Sequence, residues 1–545
     1  MQAEAGTMEK QAGEAAVAES VDALLTRGNH MMDQGELAEA IEAYRKLVTL
    51  APQFGPGYRN LALALERDGR LAEALSECNR AVELQPHDLE TYLITAKLWL
   101  KLERTDEAVS MYQLAALAVP ERSDVQASLA AALTRRGRLD EASAACQKAI
   151  ALSPQNVGAY LNLGIIHSKR DDLEGAIECY RKAISVDPNS PEGFANLGIA
   201  LSNLGMSQPA IEASRRAIDL RPTDPEFHYN YAMLLLLAGD LKAGFREFEW
   251  RLSHPAPRFR PRAFDVPRWR GEPRDGRTLL IHAEQGLGDT MQFVRFVSIA
   301  AATGGPVVLQ VQSPLVELLR DSLDVTVISR DEPEPPFDLH VPLMSLAYEL
   351  GTTIKTIPAE VPYLKVGPAK SAEWRQRLAR YSDLRIGVVW AGSPGHLHDR
   401  KRSLSAEVVL PHLIVPGVQL FSLQKEPHPS DRHVLEQLQG AVVDLGPLLT
   451  NFADTAAAAN AMDLVITVDT SVAHMAGALG KPTWILLPRS LDWRWLYERE
   501  DTPWYPTVRL FRQPRFKDWA SVLNRLPGEL ERLVADATLH GAARA

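Results

Sequence analysis

The amino-acid sequence predicts a helical solenoid over its first half and an α/β region with two parallel-sheet domains over its second half. The solenoid is predicted from residues that recur every 34 positions, because a fixed period of this length is typical of stacked helical repeats. The α/β region is predicted from short buried-strand patterns that alternate with amphipathic stretches after about residue 277. The length of 545 residues agrees with a repeat array followed by two domains.

Three kinds of residue carry the repeat. Each proline ends the second helix of a unit because it has no backbone donor, and the small residues let the two helices of a unit approach closely. The prolines are Pro52, Pro86, Pro120, Pro154, Pro188 and Pro222; the alanines are Ala40, Ala74, Ala108, Ala142, Ala176 and Ala210; the first-helix small residues are Gly28, Ala62, Ala96, Ala130, Gly164, Gly198 and Ala232. This pattern resembles the tetratricopeptide repeat, in seven units over residues 21–253.

The concave surface of such an array is the usual place for a partner, and asparagines recur there. Asn60, Asn162, Asn196 and Asn230 share one position in the first helix of their repeats. Their amides are suited to bind the backbone of an extended peptide, and the pattern resembles the asparagine ladder of the eukaryotic protein O-GlcNAc transferases. We therefore expect a protein or peptide partner in the repeat groove. The alternative is that each asparagine amide only forms hydrogen bonds with nearby residues of the array.

Composition excludes several classes of protein. The 59 basic and 69 acidic residues give a net charge of −10, which argues against a nucleic-acid partner. Three cysteines are too few for a disulfide framework, and Cys78 and Cys146 fall at a core position of the repeat, where packing explains them. No apolar stretch is long enough to span a membrane. Residues 1–20 are predicted to be a disordered or helical tail without a secretory signal, so we expect a cytoplasmic protein.

The second half begins after a segment rich in Pro and Arg, residues 254–276, which we predict to be a linker. About eight buried strands follow, and a second Gly-rich entry strand divides them into domains of residues 277–370 and 371–545. Sites in such folds lie at the carboxyl ends of the strands. The predicted strands are RTLLIHA, PVVLQVQ, DVTVIS, DLHVPL, RIGVVWAG, VQLFSLQ, DLVITVD and TWILLP.

The first candidate site is the loop after the strand that ends in IHA. Gly286 and Gly288 allow a tight turn into a helix that opens at about Asp289. A dinucleotide fingerprint fails here, because Met291 stands where its third glycine belongs. Asp289 is either a helix cap or a general base that faces the cleft between the domains. Gln285 is a further candidate for contact with a ligand.

The second candidate site is the segment WAGSPGHLHDRKRS. Its glycines and the cations Arg400, Lys401 and Arg402 suit a diphosphate, with a solvated basic loop as the alternative. A metal at His396, His398 and Asp399 is disfavoured, since no further ligands have suitable spacing. Trp390, before this segment, and Lys425, after the next strand, are candidates for contact with the donor or acceptor of a transfer reaction.

The third candidate site, DTSVAHMAGALGKPT, has the most specific pattern. A buried strand delivers Asp469, Thr470 and Ser471 to the start of a helix predicted over 472–479, whose free amides form an anion site that His474 can extend. Asp492 and Arg494 follow the next strand, where a donor would also lie. The aromatic residues around them are predicted to pack the domains together rather than to stack on a ligand; they are Trp493, Trp495, Trp504 and Tyr505.

These three segments resemble bacterial glycosyltransferases of the ADP-heptosyltransferase-like group, family nine, which have the two-domain GT-B fold. The resemblance covers residues 277–540, and the chain also looks like bacterial proteins that join tetratricopeptide repeats to such a domain. It implies that Asp289 is the base, that a cation near Lys401–Arg402 meets the donor, and that Asp469, Thr470 and His474 bind its diphosphate. The first loop reads QGLGD, which departs from the family pattern and makes heptose a doubtful donor sugar.

We therefore expect a glycosyltransferase that uses a nucleotide-sugar as co-substrate, needs no other cofactor and places its acceptor on the repeats. No Asp-x-Asp metal motif occurs in the donor half, so we expect the protein itself to neutralise the leaving group without a metal. One alternative is a protein-binding scaffold with an inactive transferase-like domain. Another is an enzyme closer to the O-GlcNAc transferases, although their catalytic-domain pattern is not found here.

Overall fold

A computed structural model describes residues 20–256, 259–395, 399–489 and 492–542. The predicted N-terminal tail therefore lies outside the described residues, apart from Ser20. Contacts divide the chain into two compact units, residues 1–197 and residues 198–545. The first unit holds most of the repeats, and the second holds the last repeats together with the α/β region.

Fourteen helices form the described part of the repeat array, as two helices for each predicted unit. They are α1 (Val21–Gln34), α2 (Leu37–Leu50), α3 (Gly55–Arg67), α4 (Leu71–Leu84), α5 (Leu89–Lys101), α6 (Thr105–Ala118), α7 (Ser123–Arg136), α8 (Leu139–Leu152), α9 (Val157–Lys169), α10 (Leu173–Val186), α11 (Pro191–Asn203), α12 (Ser207–Leu220), α13 (Pro225–Leu237) and α14 (Leu241–Phe248). A 3-10 helix, Glu249–Ser253, ends the array. The predicted helical solenoid is confirmed.

The recurring small residues explain how the two helices of a unit pack. The alanine at position 40 and its five counterparts are fully buried. A methyl group on Gly28 or Gly164 would overlap the ring of Tyr44 or Tyr180 in the second helix of the same unit. The small residue of the first helix and the larger residue of the second therefore fit each other.

Four parallel strands form the first sheet of the α/β region. They are β1 (Leu279–His282), β2 (Val307–Val311), β3 (Thr326–Ser329) and β4 (Leu339–Pro342), in the order β3-β2-β1-β4. Every residue of β1 and β2 is buried, as expected for parallel strands that are covered on both faces. The accompanying helices are α15 (Leu287–Phe293), α16 (Val297–Ala301), α17 (Val316–Ser322) and α18 (Leu346–Glu349).

Six parallel strands form the second sheet, in the order β10-β9-β8-β5-β6-β7. The strands are β5 (Leu384–Val389), β6 (Val418–Ser422), β7 (Val442–Asp444), β8 (Leu464–Val468), β9 (Thr483–Leu487) and β10 (Val508–Arg512). The helices are α19 (Pro368–Leu378), α20 (Asp399–Arg402), α21 (Ala406–Val409), α22 (Pro429–Gln437), α23 (Phe452–Asn460), α24 (Ser471–Ala478), α25 (Trp519–Leu523) and α26 (Leu526–Ala542). Counted from β5, this is the strand order of a doubly wound Rossmann sheet.

All eight predicted strands are present. The structure has two further strands, β7 and β10, which were not predicted from the sequence. β7 has only three residues, and β10 reads VRLFR, in which arginines interrupt the apolar pattern. Such strands give weak periodicity and are recognised only once they pair with a neighbour, here β6 and β9.

One hydrophobic core joins the last repeat to the α/β region. Phe245 of α14 packs edge-on against Phe293 and Trp493, with ring centroids 6.1 and 5.7 Å apart. The segment predicted as a linker contains no α-helix and no extended strand over its described residues, but Trp269 and Arg274 within it are fully buried. The last repeat and both sheets are therefore packed as one body.

Candidate functional site

The Gly288 turn and the Thr470 turn meet between the two sheets. A Cβ atom on Gly288 would lie 2.9 Å from Cδ2 of His474 and 3.5 Å from Cα of Ser471. The first turns of α15 and α24 thus touch, and glycine is needed at position 288 because of this close approach. Both turns follow the carboxyl ends of buried strands, β1 and β8, so the structure brings the first and third candidate segments together.

Asp289 makes two interactions through its carboxylate. Its Oδ2 accepts a hydrogen bond from the amide of Gly286 at 2.9 Å, so it caps the helix, one of the two roles that the sequence left open. Its Oδ1 forms an ion pair with Arg494. Asp289 therefore joins the first sheet region to the loop that follows β9 in the second.

Arg494 is the centre of the charged cluster. All three nitrogens of its guanidinium donate: Nε to Gln292 at 2.8 Å, Nη1 to both oxygens of Asp492 at 3.0 Å, and Nη2 to Asp289. The guanidinium also lies over the ring of Trp493, 4.5 Å from its centroid. A largely buried arginine that pairs with two carboxylates at once fixes the positions of both.

The two other carboxylates of the cluster have opposite pKa shifts. Burial and, next, the neighbouring carboxylate of Asp492 raise the pKa of Asp469 to about 6. Burial also acts to raise the pKa of Asp492, but its ion pair with Arg494 holds that pKa below the usual value. Asp492 is therefore the permanent anion, and Asp469 takes up a proton in mildly acidic solution.

His474 lies in the first turn of α24 as a neutral side chain. Burial and then the charge of Arg494 lower the pKa of His474 to about 3. Its Nδ1 is 2.9 Å from the hydroxyl of Tyr505, and its ring stacks on Trp495 at a centroid distance of 5.3 Å. A neutral imidazole held in this way supplies at most one N–H to a ligand.

The turn that precedes α24 is ordered by its own side chains. The hydroxyl of Thr470 accepts a hydrogen bond from the amide of Val472 at 3.2 Å, and Ser471 is half-buried at the first helical position. Arg402 crosses from the segment after β5 and donates through Nη1 to the carbonyl of Asp469 at 2.7 Å. A cation thus lies beside the free amides of α24, which is an arrangement suited to an anion.

The other two cations of that segment have a different environment. Arg400 and Lys401 are exposed, as the solvated-loop alternative predicts, whereas Arg402 is held beside Asp469. His396 and His398 lie outside the described residues. Within the residues that the structure describes, no group of three or more His, Cys, Asp or Glu side chains is arranged to hold a metal ion.

Two further candidates have structural partners. Trp390 is fully buried and donates through its indole N–H to Asp431 at 2.9 Å, so it is a core residue rather than a ligand contact. The ammonium of Lys425 donates to the carbonyl of Thr450 at 3.1 Å. Gln285 remains beside the site, and its side-chain nitrogen is buried with no partner among the described residues.

Sequence reasoning missed three polar residues near the site. Gln292, one helical turn after Asp289, is fully buried and accepts from Arg494. Arg512 and Gln513 lie at the carboxyl end of β10, at the same sheet edge as Thr470. The spacing from Asp289 could have indicated Gln292, but the other two depended on recognising β10 as a strand. Trp493, Trp495, Trp504 and Tyr505 are buried, as expected for packing residues.

The asparagines of the repeat groove show two kinds of environment. Asn60 donates to the side chain of Asn29 at 3.2 Å, and Asn162 donates to the carbonyl of Ala127 at 2.9 Å. These are the local bonds of the alternative hypothesis. Asn196 and Asn230 are half-buried and make no side-chain hydrogen bond to any residue that the structure covers. Across those same residues, no helix has the length and apolar character that crossing a membrane requires.

Family comparisons identify the repeats. Profiles described as tetratricopeptide repeat match residues 10–54, 25–88 and 191–224, and one described as TPR repeat matches residues 130–171 and 168–205. The predicted tetratricopeptide repeats are confirmed. They support a protein or peptide partner for this chain.

The match to a curated relative covers more of this chain than the repeats alone. Protein FlbA of Caulobacter vibrioides is 28% identical over 335 residues, which are 56% of this chain and 54% of that protein. The match thus spans about half the length of the relative.

Several solved structures are similar to parts of this chain, and two of them are described as repeat proteins. A tetratricopeptide repeat protein from Parabacteroides merdae is 16% identical and aligns with 44% of this chain and 94% of its own, with a TM-score of 0.40. YrrB, described as a TPR protein with an unusual peptide-binding site, is 24% identical over 34% of this chain and 94% of its own, with a TM-score of 0.28. A chain of the APC/C hetero-tetramer Cut9–Hcn1 is 15% identical and aligns with 45% of this chain and 55% of its own, with a TM-score of 0.35. The family models and the observed fold thus show tetratricopeptide repeats followed by a C-terminal α/β region of parallel sheets.

Proposed function

We propose that the α/β region is a GT-B glycosyltransferase that transfers a sugar from a nucleotide-sugar to an acceptor held by the repeats. The observation that carries the proposal is the meeting of the Gly288 and Thr470 turns at the carboxyl ends of β1 and β8. Two Rossmann-like sheets whose strand ends face a common site are the arrangement that a GT-B enzyme needs.

The donor diphosphate is proposed to lie at the first turn of α24. Free amides at this helix end attract negative charge, and Arg402 beside Asp469 adds a full positive charge. Because the pKa of Asp469 is raised to about 6, phosphates that bind beside it need only a small further rise to protonate this carboxyl group, which would remove the repulsion between them. The protein itself thus stabilises the leaving nucleoside diphosphate, and the proposed reaction needs no metal.

Asp289 is proposed to act as the general base. The acceptor hydroxyl oxygen attacks the anomeric carbon, the bond from that carbon to the phosphate oxygen breaks, and the hydroxyl proton passes to Asp289. Arg494 is the counter-ion of Asp289 in the free protein. A bound donor phosphate competes for Arg494, which would release Oδ1 of Asp289 for the proton.

Substitution of Asp289 tests this assignment. Asp289→Asn keeps an acceptor for the Gly286 amide but removes the base, so we expect sugar transfer to fall by about 10²- to 10⁴-fold. The measurement is the rate of nucleotide release from a donor that binds the protein. Asp324→Asn, at an exposed aspartate, is the matched control and should leave the rate unchanged. An undiminished rate in Asp289→Asn would eliminate Asp289 as the base.

A second candidate function is a protein-binding scaffold with an inactive transferase-like domain. The observation that favours it is that Arg494 already pairs with Asp289 and Asp492, and that Asp289 also accepts from the Gly286 amide, without a ligand. In that case the cluster joins the two sheets and does no chemistry. Binding of a nucleotide-sugar to the full chain distinguishes the two candidates, since the scaffold binds none.

A further inference from the structure

A second group of polar residues lies where the sixth repeat meets the second sheet. A Cβ atom on Gly205, in the turn between α11 and α12, would lie 3.0 Å from Nη2 of Arg489. The hydroxyl of Tyr497 lies 2.9 Å from Oγ of Ser202 on α11. Arg489 follows the carboxyl end of β9, Arg512 is the last residue of β10 and Gln513 comes directly after it, and we call these three residues the junction cluster.

The two arginines of the junction cluster form no ion pair. Among the described residues, no carboxylate pairs with Arg489 or Arg512, although the more distant Asp469 and Asp492 act on the charge of Arg512. Arg512 donates through Nη2 to the carbonyls of Trp495 and Leu496, at 3.1 and 3.0 Å, which carry no net charge. Burial and then the positive charge of Arg489 lower the pKa of Arg512 to about 10, and the two carboxylates do not offset this effect. The cluster thus holds two positive charges that are only partly compensated.

The amide of Gln513 adds an unused donor to these charges. Gln513 is only 2% exposed, and its Oε1 accepts a hydrogen bond from the backbone amide of Arg489 at 3.0 Å. Its Nε2 has no partner among the described residues, and neither has Nε of Arg512. Buried donors normally find an acceptor, so two unpartnered donors beside two unpaired cations indicate a missing anion.

We propose that the junction cluster binds a carboxylate of an acidic peptide segment that lies along α11 and α13, the first helices of the sixth and seventh repeats. Charge complementarity identifies the occupant, since arginine pairs bind carboxylates through several charge-assisted hydrogen bonds. The contact between Tyr497 and Ser202 places the loop of the cluster against α11, where a partner on the concave face of the array would run.

This proposal does not require the transferase function. Asp469 and Asp492 of the neighbouring charged cluster act on Arg512 from a distance, but Arg494 of that cluster is already paired with Asp289 and Asp492. An acidic segment held at the junction cluster would give the repeats a preference among partners, whether or not a sugar is transferred.

Binding of two peptides to the full-length protein tests the proposal. The probes are fluorescein-labelled octapeptides that alternate Ser with Glu or Ser with Gln, and the readout is fluorescence anisotropy. We expect the Glu peptide to bind about tenfold more tightly than the Gln peptide. Arg489→Gln, and Arg489→Gln combined with Arg512→Gln, should abolish this preference. Arg216→Gln, at an exposed arginine of α12, is the charge-matched control and should retain it.

Defined results would overturn the proposal. Equal binding of both peptides to the natural protein would do so, as would an unchanged preference in a folded Arg489→Gln variant, with folding checked by circular dichroism. Nucleotides provide the third arm, with UDP, GDP, ADP and CMP as probes. If Arg489→Gln weakens binding of a nucleotide but leaves both peptides unaffected, the cluster belongs to the nucleotide site and the peptide proposal is wrong.

Discussion

At position 288 a hydrogen atom in place of a side chain lets two helices meet. A methyl group there would lie 2.9 Å from the buried ring of His474, which Trp495 and Tyr505 hold in place. We therefore expect Gly288→Ala to lower the free energy of unfolding by about 1–3 kcal/mol, since the helices must separate.

Chemical denaturation measures this loss. Gly528→Ala is the matched control, because a methyl group at this helical position meets nothing within 4 Å. It should be neutral or slightly stabilising. Equal stability of Gly288→Ala and the natural protein would show that the two turns are not in contact.

The carboxyl group of Asp469 makes the folding stability depend on pH. Its pKa is raised to about 6, so the folded protein keeps a proton that the unfolded chain gives up near pH 4. Folding stability from this group is therefore present at low pH and falls as the pH rises from about 4 to about 6.

Asp469→Asn should remove that dependence. Between pH 4 and pH 7, the natural protein should lose about 2–3 kcal/mol of unfolding free energy relative to the variant. Urea unfolding of both proteins at several pH values checks the slope. A difference that stays constant over this range would mean that Asp469 titrates normally.

Single residues were predictable where a strand end and a turn signal coincide. Gly288, Asp289 and Thr470 stand after strands with clear apolar patterns, and they lie together in the structure. Trp390 carries the same signal but points into the core. The direction of a side chain at a strand end depends on packing against other elements, which the local sequence does not contain.

Within a repeat, the size of the small residue in the first helix is complementary to that of the side chain it contacts in the second helix. Gly164 lies against Tyr180, whereas the second and fourth repeats pair Ala62 with Cys78 and Ala130 with Cys146. Gly164→Ala should cost about 1–2 kcal/mol because its methyl group overlaps the tyrosine ring. The double variant Gly164→Ala, Tyr180→Cys should recover part of this loss, as it recreates the pair of the other repeats.

Thermal unfolding of the four proteins in this double-mutant cycle measures the coupling. Tyr180→Cys alone is the matched control for loss of the ring. Additive effects of the two substitutions would contradict a direct contact.

Helices and strands were predicted best where their sequence pattern is regular. Fourteen repeat helices follow from a period that is maintained seven times, so an error in one unit is corrected by the others. Strands such as β1 and β8 are continuous apolar runs bounded by turns. β7 and β10 are edge strands of their sheet, and β10 carries Arg509 and Arg512, so they lack that signal.

At the scale of the molecule, the hydrophobic core places the last repeat with the α/β region. Phe245 and Phe248 of the seventh repeat belong to the same buried cluster as Phe293 and Trp504. We expect a fragment that starts at Pro188 to be folded and monodisperse, and one that starts at His254 to aggregate because it exposes this apolar surface.

Size-exclusion chromatography of the two fragments checks this division. A monodisperse fragment 254–545 would show that the α/β region is independent of the repeats. The sequence placed a linker at 254–276, since it lacks a period, but buried side chains such as Trp269 become visible only when the packing is known.

The proposed transferase function requires a nucleotide-sugar to bind where the first turn of α24 meets Arg402. The most direct test is the thermal stabilisation of the full-length protein by UDP-, GDP-, ADP-, dTDP- and CMP-linked sugars, since a ligand of the folded state raises its melting temperature. We expect at least one donor to stabilise the natural protein and the control Arg432→Gln, but to stabilise Arg402→Gln far less. If no donor stabilises the natural protein, or if Arg402→Gln responds equally, no nucleotide-sugar binds at this position.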